Sequence, residues 1–278
     1  MAWAACVAIA ALGLGAELAR PAPSDIGFFL YAAGRVLDGA RLYREVVDLN
    51  PPLIFVLNIP VVLLARMTGL SEFLLYRFGS ALLLGILLLY AGRLVVRYVL
   101  PDEAVRARYV LLLLCFVLFV LVRSDFGQRE HFVLALLVPY LLLAAAECAD
   151  RKVPTGQAVV IGLLAGAAIG LKPHFAIVWA VLEGFRRMHA SPAHRWRLTP
   201  EAAGVLGFLV VYGAGVLWLT PDYLTVVSLL GSAYLRYGRE PFVKLLVVGP
   251  GAPLVAFVLL ALLVLRRRMR TPTLGALL

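Results

Sequence analysis

The chain contains few charged residues and few cysteines, and both features limit the classes of protein to which it can belong. Of its 278 residues, 15% are charged and 63% are hydrophobic, whereas soluble domains have about 25% charged and roughly 45–50% apolar residues. The mean hydropathy is +0.94, which excludes a disordered chain. The cysteines all lie in apolar runs, so neither a disulfide framework nor a zinc site is expected; they are Cys6, Cys115 and Cys148. What remains is a polytopic helical membrane protein.

Several common motifs are missing as well. The sequence has no G-x-x-x-x-G-K-[ST] phosphate loop, no H-E-x-x-H pair and no G-x-S-x-G element. These absences argue against an ATP-driven pump, a conventional zinc hydrolase and a serine hydrolase. Lysine is scarce, with 3 residues against 23 arginines, yet the net charge is +10. In a membrane protein such an excess indicates cytoplasmic loops and contact with anionic membrane lipids, so we expect no nucleic-acid partner.

The apolar runs predict the membrane spans. Crossing about 30 Å of hydrocarbon takes roughly 20 residues of helix. We therefore expect one all-α membrane domain over 1–278, with about eight transmembrane helices and additional interfacial helices in the first outward loop. The predicted spans are 2–19, 76–100, 109–123, 131–149, 157–171, 174–185, 201–220 and 247–265. A further stretch, 51–69, fits either a surface helix or a short span, because it opens with a Pro-Pro pair and contains Arg66.

Positive charge predicts which loops face the cytoplasm. Segments 186–197 (RRMHASPAHRWR) and 266–270 (RRRMR) contain no acid, so both are expected inside. We favour a topology in which 51–69 lies at the surface and 157–185 breaks at Lys172, because a lysine beside a helix-breaking proline is costly in hydrocarbon. In the alternative, 51–69 crosses the membrane and 157–185 is one helix. The favoured topology places these loops outside: 20–75, 124–130, 172–174 and 221–246.

The first outward loop begins with an amphipathic helix. Apolar residues recur at helical spacing over 26–37, and we expect Ser24 to cap the helix and Gly39 to end it. Asp25 falls in the first turn, where exposed N–H groups favour a carboxylate. A helix of about four turns with one apolar face is expected to lie in the membrane interface. Asp48 follows later in the same loop, directly before Asn50 and the Pro-Pro pair.

The second outward loop, SDFGQREH over 124–131, holds more ionisable side chains than a connecting turn needs. Ionisable groups at membrane depth indicate a functional site. The plainer interpretation is a water-facing turn in which Asp125 pairs with Arg129. Its candidate functional residues are Arg129, Glu130 and His131.

Two more outward segments carry cations. Lys172 and His174 flank Pro173. They are either a functional cluster, or Lys172 is simply a lysine at a helix end whose side chain extends to the interface. The loop 221–246 contains Arg236 and Arg239, followed by Lys244, which form either a solvated helix or a clamp for a phosphate. At the predicted cytoplasmic ends, Glu147 and Glu183 lie in apolar runs, and we expect both side chains to extend to the interface.

The order of these features resembles the C-type fold of membrane glycosyltransferases, in the protein-O-mannosyltransferase and lipid A aminoarabinose transferase-like family. After the first span come an early acid (Asp25), a Gly-x-x-Leu-Tyr element (39–43) and an acidic stretch with Pro-Pro-Leu (48–53). A second outward loop has an acid at the start of a span (Glu130), and a Gly-x-Lys element ends at Lys172. The resemblance covers roughly residues 1–190. Members of the family are usually longer, so we expect a fragment or a minimal member.

The resemblance implies transfer of a sugar from a polyprenyl-phosphate donor to an outward acceptor, which is a glycolipid, a polysaccharide or a protein. It implies that Asp25 is the general base and that Glu130, with Asp48, orients the acceptor. The candidate cofactor is a divalent cation, and its candidate ligands are the carboxylates of Asp25 and Glu130. The cations expected to meet the donor phosphate are Lys172, Arg129, His131, His174, Arg236 and Arg239, with Lys244 near the last two.

The expected location is the bacterial inner membrane, with the active site facing outward. A secondary transporter is the main rival, and it would need broken helices and an internal repeat; the sequence shows no obvious repeat. A flippase for lipid-linked sugars or a non-catalytic membrane subunit would share the predicted sidedness. These alternatives stay open at the level of sequence.

Overall fold

The computed structural model describes residues 2–21, 23–189 and 197–237. Most of these residues are helical. The first long loop also contains one isolated β-bridge, between Leu42 and Val46. The chain divides into two compact units, Met1–Thr225 and Val226–Leu278. Everything argued below concerns the first unit.

Ten helices are formed by the described residues. In chain order they are α1 Ala2–Leu18, α2 Ser24–Leu37, α3 Leu53–Thr68, α4 Glu72–Leu94, α5 Ala104–Phe116, α6 Arg129–Cys148, α7 Thr155–Leu171, α8 Ala176–His189, α9 Pro200–Leu219 and α10 Asp222–Tyr237. Two π turns, Val95–Val99 and Val117–Leu121, extend α4 and α5, and two 3₁₀ turns cover Arg123–Asp125 and Pro173–Phe175.

The apolar helices confirm a helical membrane protein. Four segments among the described residues are long and apolar enough to cross a bilayer: Glu72–Val99, Ala104–Leu121, Arg129–Cys148 and Pro200–Leu219. Three shorter apolar helices, α1, α3 and α7, accompany them. Each agrees with an apolar run seen in the sequence. The predicted span 174–185 corresponds to α8, which is not among these apolar helices. The predicted span 247–265 lies outside the described residues, so the number of eight spans stays a prediction.

Helix α2 confirms the amphipathic helix expected at the start of the first loop. Its buried residues, among them Ile26, Phe29 and Ala33, recur at helical spacing on one face, as an amphipathic pattern requires. Gly39 has a φ of +89°, a conformation that glycine adopts readily, and it ends the helix as predicted. The expected cap was wrong: Ser24 is the first helical residue, Pro23 occupies the cap position, and no side chain caps the helix.

The chain breaks at Lys172, as the favoured topology requires. Helix α7 ends at Leu171, a 3₁₀ turn covers Pro173–Phe175, and α8 begins at Ala176. Lys172 itself is extended, with φ −142° and ψ 95°. Pro173 has no N–H and restricts the residue before it to extended conformations, so a helix cannot continue evenly through this pair. The alternative of one continuous helix over 157–185 is therefore wrong.

Glycines let α7 and α9 pack at very short distance. A Cβ placed on Gly162 would lie 2.0 Å from the Glu201 carbonyl oxygen, and one on Gly166 would lie 2.7 Å from Cβ of Phe208. Gly170 faces Tyr212. These glycines recur every four residues, so they form a smooth ridge on one face of α7, as in the small-residue contacts of membrane helices. Because 162, 166 and 170 meet successively later positions of α9, the two helices run in parallel.

The connecting segments gather at two opposite ends of the helices. At one end Arg77, near the start of α4, donates to the carbonyl of Arg20 after α1 (2.6 Å). At the other end Arg151, after α6, pairs with Asp102, before α5 (3.4 Å). Arg20 and the start of α4 thus lie at one end of the helices, and the loops that contain Asp102 and Arg151 lie at the other, as the favoured topology requires. Which end faces the cytoplasm stays a prediction.

A buried ionic cluster joins α6, α8 and α9. Arg186 donates to Glu147 (2.7 Å) and Glu183 (2.9 Å), to the Tyr140 hydroxyl (3.0 Å), and also to Glu201. The side chains of Arg186 and Glu183 are each 8% exposed, and that of Glu201 is 2% exposed. The expectation that Glu183 extends to the interface was therefore wrong, whereas the Glu147 side chain is 37% exposed. A carboxylate in an apolar interior is stable when it is paired and hydrogen-bonded, and Arg186 supplies both conditions for Glu183 and Glu201.

The α7–α9 contact makes a stability prediction. Gly162→Ala is expected to lower the apparent unfolding temperature of the purified protein, because overpacking costs about 1–3 kcal/mol and the atom in the way is rigid backbone. Gly156→Ala is the matched control, since it lies in the same helix and a Cβ there has no neighbour within 4 Å. Thermal unfolding in detergent measures both. Equal unfolding temperatures for the two variants would contradict this packing.

Candidate functional site

Arg129 is the best-positioned cation at the end where the outward loops meet. It lies in the first turn of α6, and its Nη1 donates to the side-chain oxygen of Asn50. Its guanidinium also lies over the ring of Phe29 in α2, 5.3 Å from the ring centre. Among the described residues it forms no ion pair with a carboxylate. Its orientation is therefore fixed by a neutral amide and an aromatic face, and its charge is left for a ligand.

Asp48 holds Asn50 in place. One oxygen of Asp48 accepts from the Leu49 N–H (2.6 Å), and the other accepts from the Asn50 side-chain amide (2.8 Å). Because the Asn50 nitrogen donates to Asp48, its oxygen is left to accept from Arg129. The Tyr43 hydroxyl donates to the Asn50 backbone oxygen at 2.6 Å, and this fixes the turn from the other side. The predicted site residue Asp48 thus reaches Arg129 through Asn50.

Glu130 and Lys172 form a direct ion pair between α6 and the break after α7. The Lys172 side chain is 16% exposed and that of Glu130 is 47% exposed, so the carboxylate opens to solvent while the ammonium is largely covered. His174 is exposed on the 3₁₀ turn beyond them. Partial burial and the positive charge of Lys172 lower the pKa of His174, which keeps its imidazole neutral near pH 7.

Asp125 lies close enough to Glu130 to respond to its charge. Partial burial and the Glu130 carboxylate raise the pKa of Asp125 above its usual range. Arg129 bonds to Asn50 instead of Asp125, so the simple Asp125–Arg129 turn considered from the sequence does not form. Asp125 and Glu130 are therefore two neighbouring carboxylates in one water-facing cluster.

His131 lies inside the protein beside this cluster. It is 2% exposed, and its Nδ1 accepts from the Gly127 N–H at 3.1 Å. Gly127 has a φ of +79°, a turn conformation that this bond helps to hold. The structure thus places His131 where it orders the loop 124–130, without an open face toward a ligand.

Asp25 is less directly connected to the others. It is exposed in the first turn of α2 and makes no side-chain hydrogen bond within the described part of the chain. It lies one helical turn before Phe29, whose ring contacts Arg129, so it belongs to the same end of the protein. The sequence predicted a single cluster of Asp25, Asp48, Glu130 and Lys172. The structure joins the last three through Arg129 and its neighbour Glu130, whereas no contact joins Asp25 to them within the described part of the chain.

The cations predicted in the loop 221–246 cannot be added to the cluster. Arg236 falls in the last turn of α10, in the second unit. Arg239 and Lys244 lie outside the described residues. Their proposed contact with a phosphate stays a prediction.

An apolar groove of about 450 Å³ lies beside the cluster. Its walls come from the first half of α3 and the α9–α10 junction, including Phe55, Ile59 and Leu219, and Arg41 and Arg44 line it as well. Arg44 is paired with Asp222 at 2.6 Å. The Phe55 ring also contacts Phe29, with centres 5.7 Å apart. Phe55 is thus shared between the groove wall and the buried ring contact beneath Arg129.

The sequence analysis missed two residues of the site, Asn50 and Tyr43. Asp48-Leu49-Asn50 before a Pro-Pro pair is a typical turn sequence in which the aspartate accepts from N–H groups two residues on, and that signal was available. The role of Tyr43 had no such signal, because its φ of +71° and its bond to Asn50 arise from tertiary contacts.

Among the described residues, no three His, Cys, Asp or Glu side chains gather in one place. The Glu130 carboxylate, expected as a ligand, is instead paired with Lys172. No model of a known protein family, no curated protein and no solved structure matches the chain. The geometry of the cluster is thus the main basis for a functional conclusion.

The raised pKa of Asp125 makes a pH prediction. Ionised Asp125 disfavours the folded state, so its unfavourable contribution is absent below the unfolded pKa of about 3.9 and grows as the pH rises through the folded pKa. Asp125→Asn is therefore expected to raise the unfolding temperature more at pH 7 than at pH 4. Asp150→Asn is the control, because Asp150 is exposed at the opposite end and asparagine suits its φ of +54°. A gain for Asp125→Asn that is independent of pH would contradict the assignment.

Proposed function

We propose that the protein is a membrane glycosyltransferase that moves a sugar from a polyprenyl-phosphate donor to an extracytoplasmic acceptor. The observation that carries this proposal is the Arg129 guanidinium, held in place by Asn50 and Phe29 and unpaired with any described carboxylate. A fixed arginine with a free edge is well suited to a phosphate oxygen pair. The order of sequence motifs, which resembles lipid-linked sugar transferases, supports the same reaction.

The donor phosphate is placed at Arg129, with Lys172 beside it. Glu130 keeps the Lys172 ammonium at the helix break, and the half-exposed carboxylate leaves room for an acceptor hydroxyl. As the sugar leaves the phosphate, negative charge grows on the lipid phosphate, and cations already in position stabilise it without reorganisation. In this proposal Asp48 acts through Asn50 as a positioning residue for Arg129.

The apolar groove supports a lipid-linked donor. Its walls are mainly aliphatic and aromatic, and Phe55 connects it to the ring beneath Arg129. An isoprenoid chain lying in such a groove would leave its phosphate at the polar cluster. A donor of this kind remains in the bilayer with its headgroup at the interface, where the cations of a membrane protein meet it.

Asp25 is proposed as the general base. The acceptor hydroxyl attacks the anomeric carbon, the bond from that carbon to the phosphate oxygen breaks, and the hydroxyl proton passes to Asp25. The products are the glycosylated acceptor and the free polyprenyl phosphate. In this proposal the acceptor enters between Arg129 and the exposed carboxylate of Asp25, which lies one helical turn before Phe29.

A detergent assay separates transfer from transport. The purified full chain is incubated in micelles with a detergent-solubilised extract of its source envelope that contains lipids, proteins and polysaccharides, and mass spectrometry follows free polyprenyl phosphate and glycosylated products. A transferase releases both, whereas a flippase has no bilayer to work across and a non-catalytic subunit releases neither. Absence of release from an extract shown to contain lipid-linked sugars would overturn the proposal.

Arg129→Gln is expected to reduce product formation about 10- to 100-fold, because a charge-assisted hydrogen bond to phosphate contributes roughly 1.5–3 kcal/mol. Arg129→Lys should restore part of the activity, since it keeps the charge and loses the planar fork. Arg123→Gln is the matched control, because Arg123 is exposed in the preceding 3₁₀ turn. Wild-type turnover by Arg129→Gln would remove the phosphate role.

Asp25→Asn is expected to lower turnover by about 10²- to 10⁴-fold, the usual contribution of a positioned base. Asp38→Asn is its control, because Asp38 lies at the other end of α2 and pairs with Arg66 at 2.8 Å. Both variants should insert and unfold like the wild type. Unchanged turnover in Asp25→Asn would show that another group removes the proton.

A further inference from the structure

A second groove lies at the opposite end of the helices from the Arg129 cluster. It has a volume of about 350 Å³ and is bounded by the start of α1, the π turn after α4 and the start of α5. Its lining includes Trp3, Val96, Leu100, Ala104, Leu111 and Arg108. Trp3 also packs on Gly92 near the end of α4, whereas the other end of α1 meets the start of α4 through Arg77 and Arg20.

The π turn helps to form this groove. The Leu100 N–H donates to the Val95 carbonyl at 2.7 Å, a bond that spans five residues and widens the helix by comparison with the regular α form. Isolated π turns inside α-helices are rare and occur frequently at functional sites. Val96 of the turn and Leu100 directly after it both line the groove.

The charges around the groove leave an excess of arginine. The two nearby acids are already paired: Glu103 with Arg106 at 2.5 Å, and Asp102 with Arg151 at 3.4 Å. Arg108 lines the groove, is exposed and has no ion pair within the part of the chain that the structure describes. The guanidinium of Arg108 thus lies at the edge of an apolar cleft without a neutralising acid among the described residues.

We propose that this groove binds one anionic membrane phospholipid, with an acyl chain against Trp3 and Leu111 and the headgroup phosphate on Arg108. The apolar lining matches hydrocarbon, and the arginine matches a phosphate with an available edge. The site is independent of the proposed transfer reaction.

The test measures phospholipid binding to the delipidated full chain by native mass spectrometry, with phosphatidylglycerol and phosphatidylcholine as probes. The wild type should retain one phosphatidylglycerol more tightly than phosphatidylcholine. Arg108→Gln should weaken phosphatidylglycerol binding about fivefold, the usual effect of one arginine near an anionic lipid, and should leave phosphatidylcholine unchanged. Lys152→Gln, which removes an exposed charge from the loop after α6, should change neither.

A second variant tests the apolar wall. Ala104→Phe fills the groove beside an intact Arg108 and should weaken both lipids, while the unfolding temperature stays near that of the wild type. Inorganic phosphate is added as a competitor to separate a lipid site from a plain anion site. Wild-type phosphatidylglycerol binding by Arg108→Gln would overturn the proposal, as would displacement of the lipid by millimolar phosphate.

Discussion

The break at Lys172-Pro173 is the constraint on which the rest of the first unit depends. A lysine is costly inside hydrocarbon and a proline cannot continue a hydrogen-bonded helix, so the chain must leave the α7 helix here. Helix α8 then begins after the break and α9 follows it, running parallel to α7. The same break brings Lys172 to Glu130. The helix break at Lys172-Pro173 therefore determines both the arrangement of α7, α8 and α9 and the geometry of the polar cluster.

Sequence patterns predicted the helices well, because the apolar runs and the breakers act locally. The predicted amphipathic helix, its end at Gly39 and the interruption at Lys172 all follow from the chemistry of a few neighbouring residues. The π turns after α4 and α5 had no such signal. The second of them meets α1 at very short distance: a Cβ placed on Gly13 of α1 would lie 2.1 Å from the carbonyl oxygen of Phe119, a tertiary contact that no local pattern announces.

Pairings between distant side chains could be predicted only in part. The sequence indicated that Asp48, Arg129, Glu130 and Lys172 share one side of the membrane, and the structure brings them together. It did not indicate that Asn50 stands between Asp48 and Arg129, since that depends on a turn and a helix start meeting in space. The prediction that His131 belongs to an open site was wrong. Consecutive residues of a helix point in different directions, so His131 lies on another face of α6 than Glu130, where it is buried.

The buried cluster around Arg186 has a consequence for how this chain can vary. Three acids from three helices share one guanidinium. Replacing that arginine alone would leave the buried Glu201 carboxylate without its counter-charge, whereas Glu183 keeps its ion pair with Arg187 and Glu147 is partly exposed. Loss of any single acid is less severe, because the arginine keeps the others. Substitutions at these positions should therefore differ between the acids and the arginine. Related chains are expected to replace the glutamates one at a time, whereas Arg186 should be retained until all its acidic partners have been replaced by neutral residues.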